Sequence, residues 1–495
     1  MCGIAGISGT HLDHNRLEMM LSKIGHRGPD NCSDCVHNDT ILGHTRLSII
    51  DVEGGNQPLF NEDSTICIIF NGEIYNHKIL RKRLEKSHTF QTDSDTEVIL
   101  HLYEEIGDEC VKYLDGMFSF AISDKNKGLF LARDPLGIKP LYISITDNCI
   151  YFASEIKALQ GAVSHFSEFP AGCLYQSEIG IKKYFNIISD KTTKISVIEN
   201  DIKELRTLLE TAIVKRLMSD VPLGVFLSGG LDSSIIAAVA AKHIPELKTF
   251  SVGMDISEDR RYASMCSDYL GTKHYERLYN LDDMLEVLPN VIYHLESYDA
   301  ALVRSAVPNY ILAKLASEHV KVVLSGEGAD ELFSGYHYLK DLNDIDIYSE
   351  LLEITNALHN TNLQRCDRMS MAHGLEARVP FLDVDVVNFA FSLPNDHKLN
   401  ANNIEKWILR QAFSDILPNE IVFRKKSKFS EGCGSSQVLA TVAENIISDS
   451  IFNGEKQLPN GSIIQSKEEF MYYQIFHEIF PSTSAIKVVG HSRSL

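Results

Sequence analysis

Apolar positions change their rhythm near residue 200. Before about residue 185, short apolar stretches alternate with turns: residues 66–70 and 129–132 read as strands, and residues 97–106 carry helical spacing. That pattern predicts an α+β domain rich in antiparallel sheet. From 186 to 200 the periodicity fails and polar residues dominate, as in Ser189-Asp190-Lys191-Thr192-Thr193-Lys194, which predicts a linker. Beyond it come a helix over 202–218, a strand over 222–227, a glycine turn, a helix over 233–242, and strands at 250–252 and 320–324. Alternation of this kind predicts a mostly parallel, doubly wound α/β sheet. After about residue 341 the pattern is helical and ends in a polar tail. The expected architecture is two domains, 2–185 and 201–495, joined by a linker at 186–200.

Composition narrows the partners. A chain of 495 residues exceeds what one hydrophobic core organises, in keeping with two domains. A formal charge of -20 argues against nucleic acid, whose affinity for proteins comes from Lys and Arg displacing counterions. No apolar run approaches membrane-spanning length, and the N-terminus lacks a basic stretch followed by an apolar one. The expectation is a soluble cytoplasmic enzyme of small molecules, with no nucleic-acid or membrane partner. Ten cysteines in a chain this long make no disulfide scaffold. Cys32 and Cys35 form a C-x-x-C with no matching second pair, so packing is their expected role.

Chemistry begins at the N-terminus, where Met1 precedes Cys2-Gly3-Ile4. Removing Met1 would leave a thiol beside a free α-amine, whose ordinary pKa of roughly 7.7–8.0 suits it to accept the thiol proton. Asn71-Gly72-Glu73 follows an apolar stretch: the Asn71 amide can donate to an oxyanion and Gly72 permits close backbone approach, although Asn-Gly is commonly a hairpin turn. Arg46 could grip a carboxylate and Asp95 an ammonium, together holding an α-amino acid. Taken singly, Arg46 suits a surface ion pair and Asp95 a helix N-cap.

These motifs, with His26-Arg27-Gly28-Pro29-Asp30, Arg46-Leu47-Ser48-Ile49 and Ser94-Asp95-Thr96-Glu97, stand in the order found in class II glutamine amidotransferases. The first domain resembles their N-terminal-nucleophile glutaminase, an αββα sandwich. The resemblance implies Cys2 as nucleophile, Asn71 and Gly72 as oxyanion hole, and Arg46 and Asp95 as clamps for glutamine. Glu73 and the backbone of Leu47, Ser48, Ile49 and Ile50 would complete the pocket.

In the second domain, Leu227-Ser228-Gly229-Gly230-Leu231-Asp232-Ser233-Ser234 forms a strand end, a glycine turn and a helix start, which offers backbone N–H groups to phosphate. It lacks the end of a Walker A loop and matches the S-G-G-x-D-S loop of ATP pyrophosphatases. In that resemblance Asp232 helps bind Mg²⁺ and pyrophosphate. A second turn, Ser325-Gly326-Glu327-Gly328-Ala329-Asp330-Glu331, is expected to face the first across the nucleotide. There Asp330 suits a Mg²⁺ ligand and Glu327 a base for an incoming amine. Lys406, expected on a helix, could neutralise charge on a phosphate or carboxylate. The run Arg424-Lys425-Lys426 reads as a solvated patch.

This set resembles the synthetase domain of glutamine-hydrolysing asparagine synthetases, and the likeness spans nearly the whole chain. It implies that the β-carboxylate of aspartate attacks the α-phosphate of ATP, and that ammonia from glutamine then displaces AMP. Leu227, Val252, Ser325 and Gly326 would line the nucleotide site, with Glu327 and Lys406 acting in adenylation and amide formation. A homodimer is compatible with this reading. One departure stands out: Ala301 and Leu302 occupy positions where many members of the family carry threonines, although Arg304 remains. An amidotransferase or amide ligase acting on another carboxylate is therefore the alternative. A noncatalytic relative should have lost one of Cys2, Asn71, Asp232, Glu327 or Lys406, and all stand. A tRNA-thiolating pyrophosphatase is disfavoured by the charge. Because ammonium is no nucleophile, an enclosed apolar path between the two sites is expected.

Overall fold

The computed structural model describes residues 2–187, 197–400 and 402–493. The N-terminal half holds two six-stranded antiparallel sheets. One runs, in spatial order, Ser167–Glu168, Tyr142–Ile145, Cys149–Ala153, Gly3–Gly9, Thr40–Arg46 and Asn31–His37. The other runs Gly180–Lys183, Cys173–Gln176, Gly128–Arg133, Gly116–Asp124, Ile66–Ile74 and Leu59–Phe60.

Strand alternation builds the layers, because successive side chains leave opposite faces. In Ile66–Ile74, Cys67 and Ile69 join Ile4, Leu42, Leu131 and Phe152 in one core between the sheets. Ile66, Ile68 and Phe70 face the other way, against Val98, Ile99 and Leu102 of helix Asp95–Ile106. On the first sheet, Ala5 and Ile7 pack with Leu17, Met20 and Leu21 of helix His14–Ile24. The result is the expected helix, sheet, sheet, helix order. One boundary differs: the strand expected at 66–70 continues to Ile74, so Asn71-Gly72-Glu73 lies inside it, paired with Phe118 and its neighbours, and forms no turn.

The C-terminal half is organised by a five-stranded parallel sheet in the order Lys273–Leu278, Lys248–Gly253, Leu223–Phe226, Val322–Leu324, Glu376–Arg378. Val322–Leu324 is fully buried, as a strand covered on both faces must be. The helix expected at 202–218 spans Ile198–Lys215, and most of the expected linker lies outside the described residues. Both glycine turns leave the carboxyl edge of this sheet, after Phe226 and after Leu324. Among the described residues no helix is long and apolar enough to cross a membrane.

Candidate active sites

Cys2 begins the strand region at the centre of the first sheet and is buried. Its backbone N–H donates to Asn71 Oδ1 at 3.1 Å, which fixes the carboxamide and, among the described residues, leaves Asn71 Nδ2 with only a long 3.5 Å contact to Ser119. Beside it Gly72 is obligatory, since a Cβ there would meet the Met117 carbonyl oxygen at 2.0 Å. Burial pushes the Cys2 thiol up, opposed by the Leu47 amide and by Arg46. A thiol so placed keeps its proton at neutral pH and needs a base.

Arg46 is buried and braces the loop that follows it, donating to the carbonyls of Val52 at 3.1 Å and Asp51 at 2.6 Å and to Asn56 Oδ1 at 2.9 Å. Ser48 N–H donates to Asp30 Oδ2 at 2.8 Å, and the Ile49 carbonyl accepts from Asp220 N–H at 3.1 Å. Asp95 is not the N-cap of its helix. Ser94 caps, accepting from Thr96 N–H at 3.2 Å, which leaves buried Asp95 to receive Ile74 N–H at 2.8 Å. Burial raises the Asp95 carboxyl against that hydrogen bond. Burial, with Glu376 nearby, holds Glu73 well above the usual carboxylate range, although Arg378 lies 3.4 Å from it.

The second site is a cavity of about 730 Å³. Leu227, Ser228, Gly230, Asp232, Ser233, Val252, Ser325, Gly326, Glu327, Asp330 and Lys406 all line it. Two expected residues do not. Gly229 shapes the turn, with φ 66° and no room for a Cβ beside Tyr262, whereas Ser234 faces the core, fully buried on helix Leu231–Ala241. Inside the turn Ser233 Oγ accepts from Ser228 N–H at 3.2 Å. The two turns touch: a Cβ on Gly326 would lie 3.0 Å from the Asp232 Cβ.

Between them sits Lys406, its Nζ 2.6 Å from Asp232 Oδ2 and 2.6 Å from Asp330 Oδ1. Lys406 is not within a helix. It precedes helix Trp407–Phe413 with a left-handed φ of 55°, a strained conformation of the kind that concentrates at functional sites. Lys426, expected in solvent, also reaches Asp330 Oδ2 at 2.6 Å, and Arg424 pairs with Asp259 at 2.5 Å, so this basic run lines the cavity. Burial would raise the Asp330 carboxyl, but Lys406 and Lys426 hold it far below its ordinary value. Glu327 is gripped by Arg365 at 2.6 Å, which also donates to Asn309 Oδ1 at 3.0 Å.

On helix Ala300–Ser317, Ala301, Ser305 and Asn309 recur at one-turn spacing and line the cavity. Leu302 is buried in the core, and Arg304 turns away to pair with Glu468, Nε to Oε1 at 2.8 Å.

Buried charges join the two halves. Arg27 Nε donates to the Cys2 carbonyl at 3.0 Å while its Nη1 reaches Glu155 at 2.7 Å and Asp367 at 2.8 Å. Arg368 binds Glu155 at 2.8 Å and Glu296 at 3.1 Å, and Lys157 binds Glu296 at 3.0 Å. The interface through which the apolar path is expected carries this ionic network beside Leu136, Ile138, Met369 and Val379 of the shared core.

Residues 1–207 match the family model of the glutamine amidotransferase domain, and residues 204–350 and 343–494 match that of asparagine synthase. Glutamine-hydrolyzing asparagine synthetase 2 of Arabidopsis thaliana is 40% identical across 100% of this chain and 90% of its own. The chain belongs to the asparagine synthase family. The enzyme of the same name from Zea mays is 40% identical over 100% of this chain and 89% of its own, and that of Asparagus officinalis 40% identical over 98% and 87%. In this asparagine synthase family member, Arg27 and Lys426 stand inside stretches quoted for other reasons and Arg365 and Asp367 in none, and nothing local reveals that each pairs with a charge from another segment.

Proposed function

We propose that this chain is a cytoplasmic, glutamine-hydrolysing asparagine synthetase, with residues 2–185 as glutaminase and 201–495 as synthetase. The observation that carries the reading is the convergence of Asp232 and Asp330, from two separate glycine turns, on Lys406 inside a cavity walled by Glu327.

With Met1 removed, the Cys2 amine takes the thiol proton and the sulfur attacks the glutamine carboxamide. Asn71 Nδ2 and the Gly72 N–H hold the oxyanion, Arg46 and Asp95 hold the carboxylate and ammonium of glutamine, and Glu73 with the Leu47–Ile50 backbone completes the pocket. The protonated Cys2 amine returns that proton to the departing nitrogen, ammonia leaves, and water releases glutamate from the thioester. In the other domain, the turns at 227–234 and 325–326 with Val252 hold ATP. The aspartate β-carboxylate attacks the α-phosphorus, pyrophosphate departs, and Lys406 balances the charge developing on phosphate. Ammonia then attacks the acyl carbon of the adenylate, Glu327 takes its proton, and AMP leaves.

Asp232 and Asp330 would hold Mg²⁺. Both are hard oxygen donors, and Asp232 Oδ1 is buried without a hydrogen-bond partner among the described residues. When bound, such an ion neutralises phosphate charge.

The test is product analysis with aspartate, ATP and amide-¹⁵N-glutamine. Equimolar AMP, pyrophosphate and ¹⁵N-asparagine are expected. Hydrolysis of glutamine with no AMP formed from aspartate would defeat the proposal.

A further inference from the structure

Outside the residues given a role above, two histidines and two glutamates converge at the end of the glutaminase domain's outer helix layer. Glu62, His88, His101 and Glu104 each offer one ligand atom within 4.8 Å of all the others. His101 and Glu104 lie on helix Asp95–Ile106, His88 follows helix His77–Leu84, and Glu62 lies between strands Leu59–Phe60 and Ile66–Ile74. We propose that these four side chains form a structural site for a divalent transition-metal ion of the zinc class.

Three features carry this. The first is separation. His88 Nδ1 lies 3.6 Å from Glu62 Oε1 and 3.6 Å from Glu104 Oε2, and His101 Nδ1 lies 3.8 Å and 3.0 Å from the same two carboxylates. Tetrahedral coordination with metal–ligand bonds of about 2.0–2.1 Å sets ligand atoms about 3.3–3.4 Å apart, in the middle of that spread. Of these four pairs only the 3.0 Å one has to open, by a few tenths of an ångström, and the other three close by a similar amount.

The second is orientation. Both imidazoles stack with centroids 4.5 Å apart and turn Nδ1 toward the shared carboxylates. Each turns Nε2 toward a further carboxylate, Glu97 at 3.6 Å behind His101 and Glu105 at 3.8 Å behind His88. Neither outer nitrogen makes that hydrogen bond in this structure, and a closure of roughly 0.5 Å would let each carboxylate orient its imidazole as one behind a metal-bound histidine does. Glu97 is itself held by Gln91 N–H at 2.7 Å and Thr92 N–H at 2.8 Å.

The third is charge. Glu62, Glu97, Glu104 and Glu105 gather around the two rings. Arg83 reaches Glu105 at 3.0 Å, but among the described residues no Lys or Arg pairs with the other three. A divalent ion supplies the missing positive charge, and imidazole with carboxylate is a donor set that zinc-class ions accept. The ion would pin the segments carrying Glu62 and His88 to the helix whose first residue is Asp95.

The test uses the full chain, stripped with chelator and titrated with Zn²⁺ in Mg²⁺-containing buffer, with bound metal counted by elemental analysis. One equivalent at submicromolar Kd is expected, lost or weakened at least about 100-fold in His88→Gln and His101→Gln and weakened about 10–100-fold in Glu97→Gln. Co²⁺ in the unaltered protein should give the intense visible bands of a tetrahedral site, a readout independent of how the variants fold. Absence of a tight equivalent, an equivalent unchanged in both histidine variants, or a weak octahedral Co²⁺ spectrum would each overturn the site.

Discussion

Arg27 and Asp367, 340 residues apart in sequence, meet as a buried bidentate pair, Nη1 to Oδ2 at 2.8 Å and Nη2 to Oδ1 at 3.2 Å. Arg27 also holds the Cys2 carbonyl, and Asp367 lies two residues beyond Arg365, which grips Glu327. One short chain of contacts therefore runs from the thiol's own residue to the helix, Asn362–Met371, that positions the proposed amine base.

Arg27→Lys keeps the charge but loses the fork that reaches both partners at once. Glutamine-dependent asparagine formation should fall roughly tenfold or more through misplacement of Cys2, while the ammonia-dependent reaction stays within about twofold. Parallel assays with the two nitrogen donors check this. Equal losses would make the pair merely structural.

Cys2→Ala should abolish glutaminase activity and leave ammonia-dependent synthesis intact. Glu327→Gln should do the reverse, blocking asparagine formation while glutamate release survives at least in part. Glutamate and asparagine measured in the same reactions decide both, and loss of both activities in Cys2→Ala would assign that residue to packing alone.

Ser305 presents a hydroxyl to the cavity one helical turn after Ala301. If it serves the acceptor amino acid, Ser305→Ala should raise the KM for aspartate about fivefold to tenfold with little change in the KM for ATP, the size expected for one lost hydrogen bond. Steady-state kinetics varying each substrate will show it, and an unchanged aspartate KM would count against the role.

Lys398 is buried, and its amine has no hydrogen-bond partner among the described residues. Burial pushes its pKa down from 10.5 to about 7. Between those values the unfolded chain binds a proton that the folded chain refuses, so this group makes stability rise with pH, by about 2 kcal/mol from pH 7 to pH 9. Lys398→Met should raise stability at pH 7 and remove that increment from the urea-unfolding free energies at the two pH values. Identical pH slopes in both proteins would refute it.

Local sequence specifies structure where chemistry and periodicity coincide. The strand–turn–helix at 223–241 and the second turn at 325–331 lie where apolar runs and glycines place them. Local sequence misleads where a residue's role depends on a distant partner. Asn-Gly looks like a turn, yet here the ladder to Gly116–Asp124 extends the strand through it. The Arg424-Lys425-Lys426 run looks solvated because nothing nearby in sequence announces Asp259 or Asp330.

The sequence by itself determined two domains, a thiol at the second position, two acidic glycine turns and the family they belong to, because these depend on residue type and short spacing. Tertiary structure decided the rest. It set Lys406 between Asp232 and Asp330, turned Arg304 away to Glu468, left Ala301 and Ser305 on the cavity wall, and tied Cys2 to the second domain through Arg27 and Asp367. Such pairings follow from which charges become buried together. A charge taken out of water must find a partner wherever the fold brings one, at any distance along the chain.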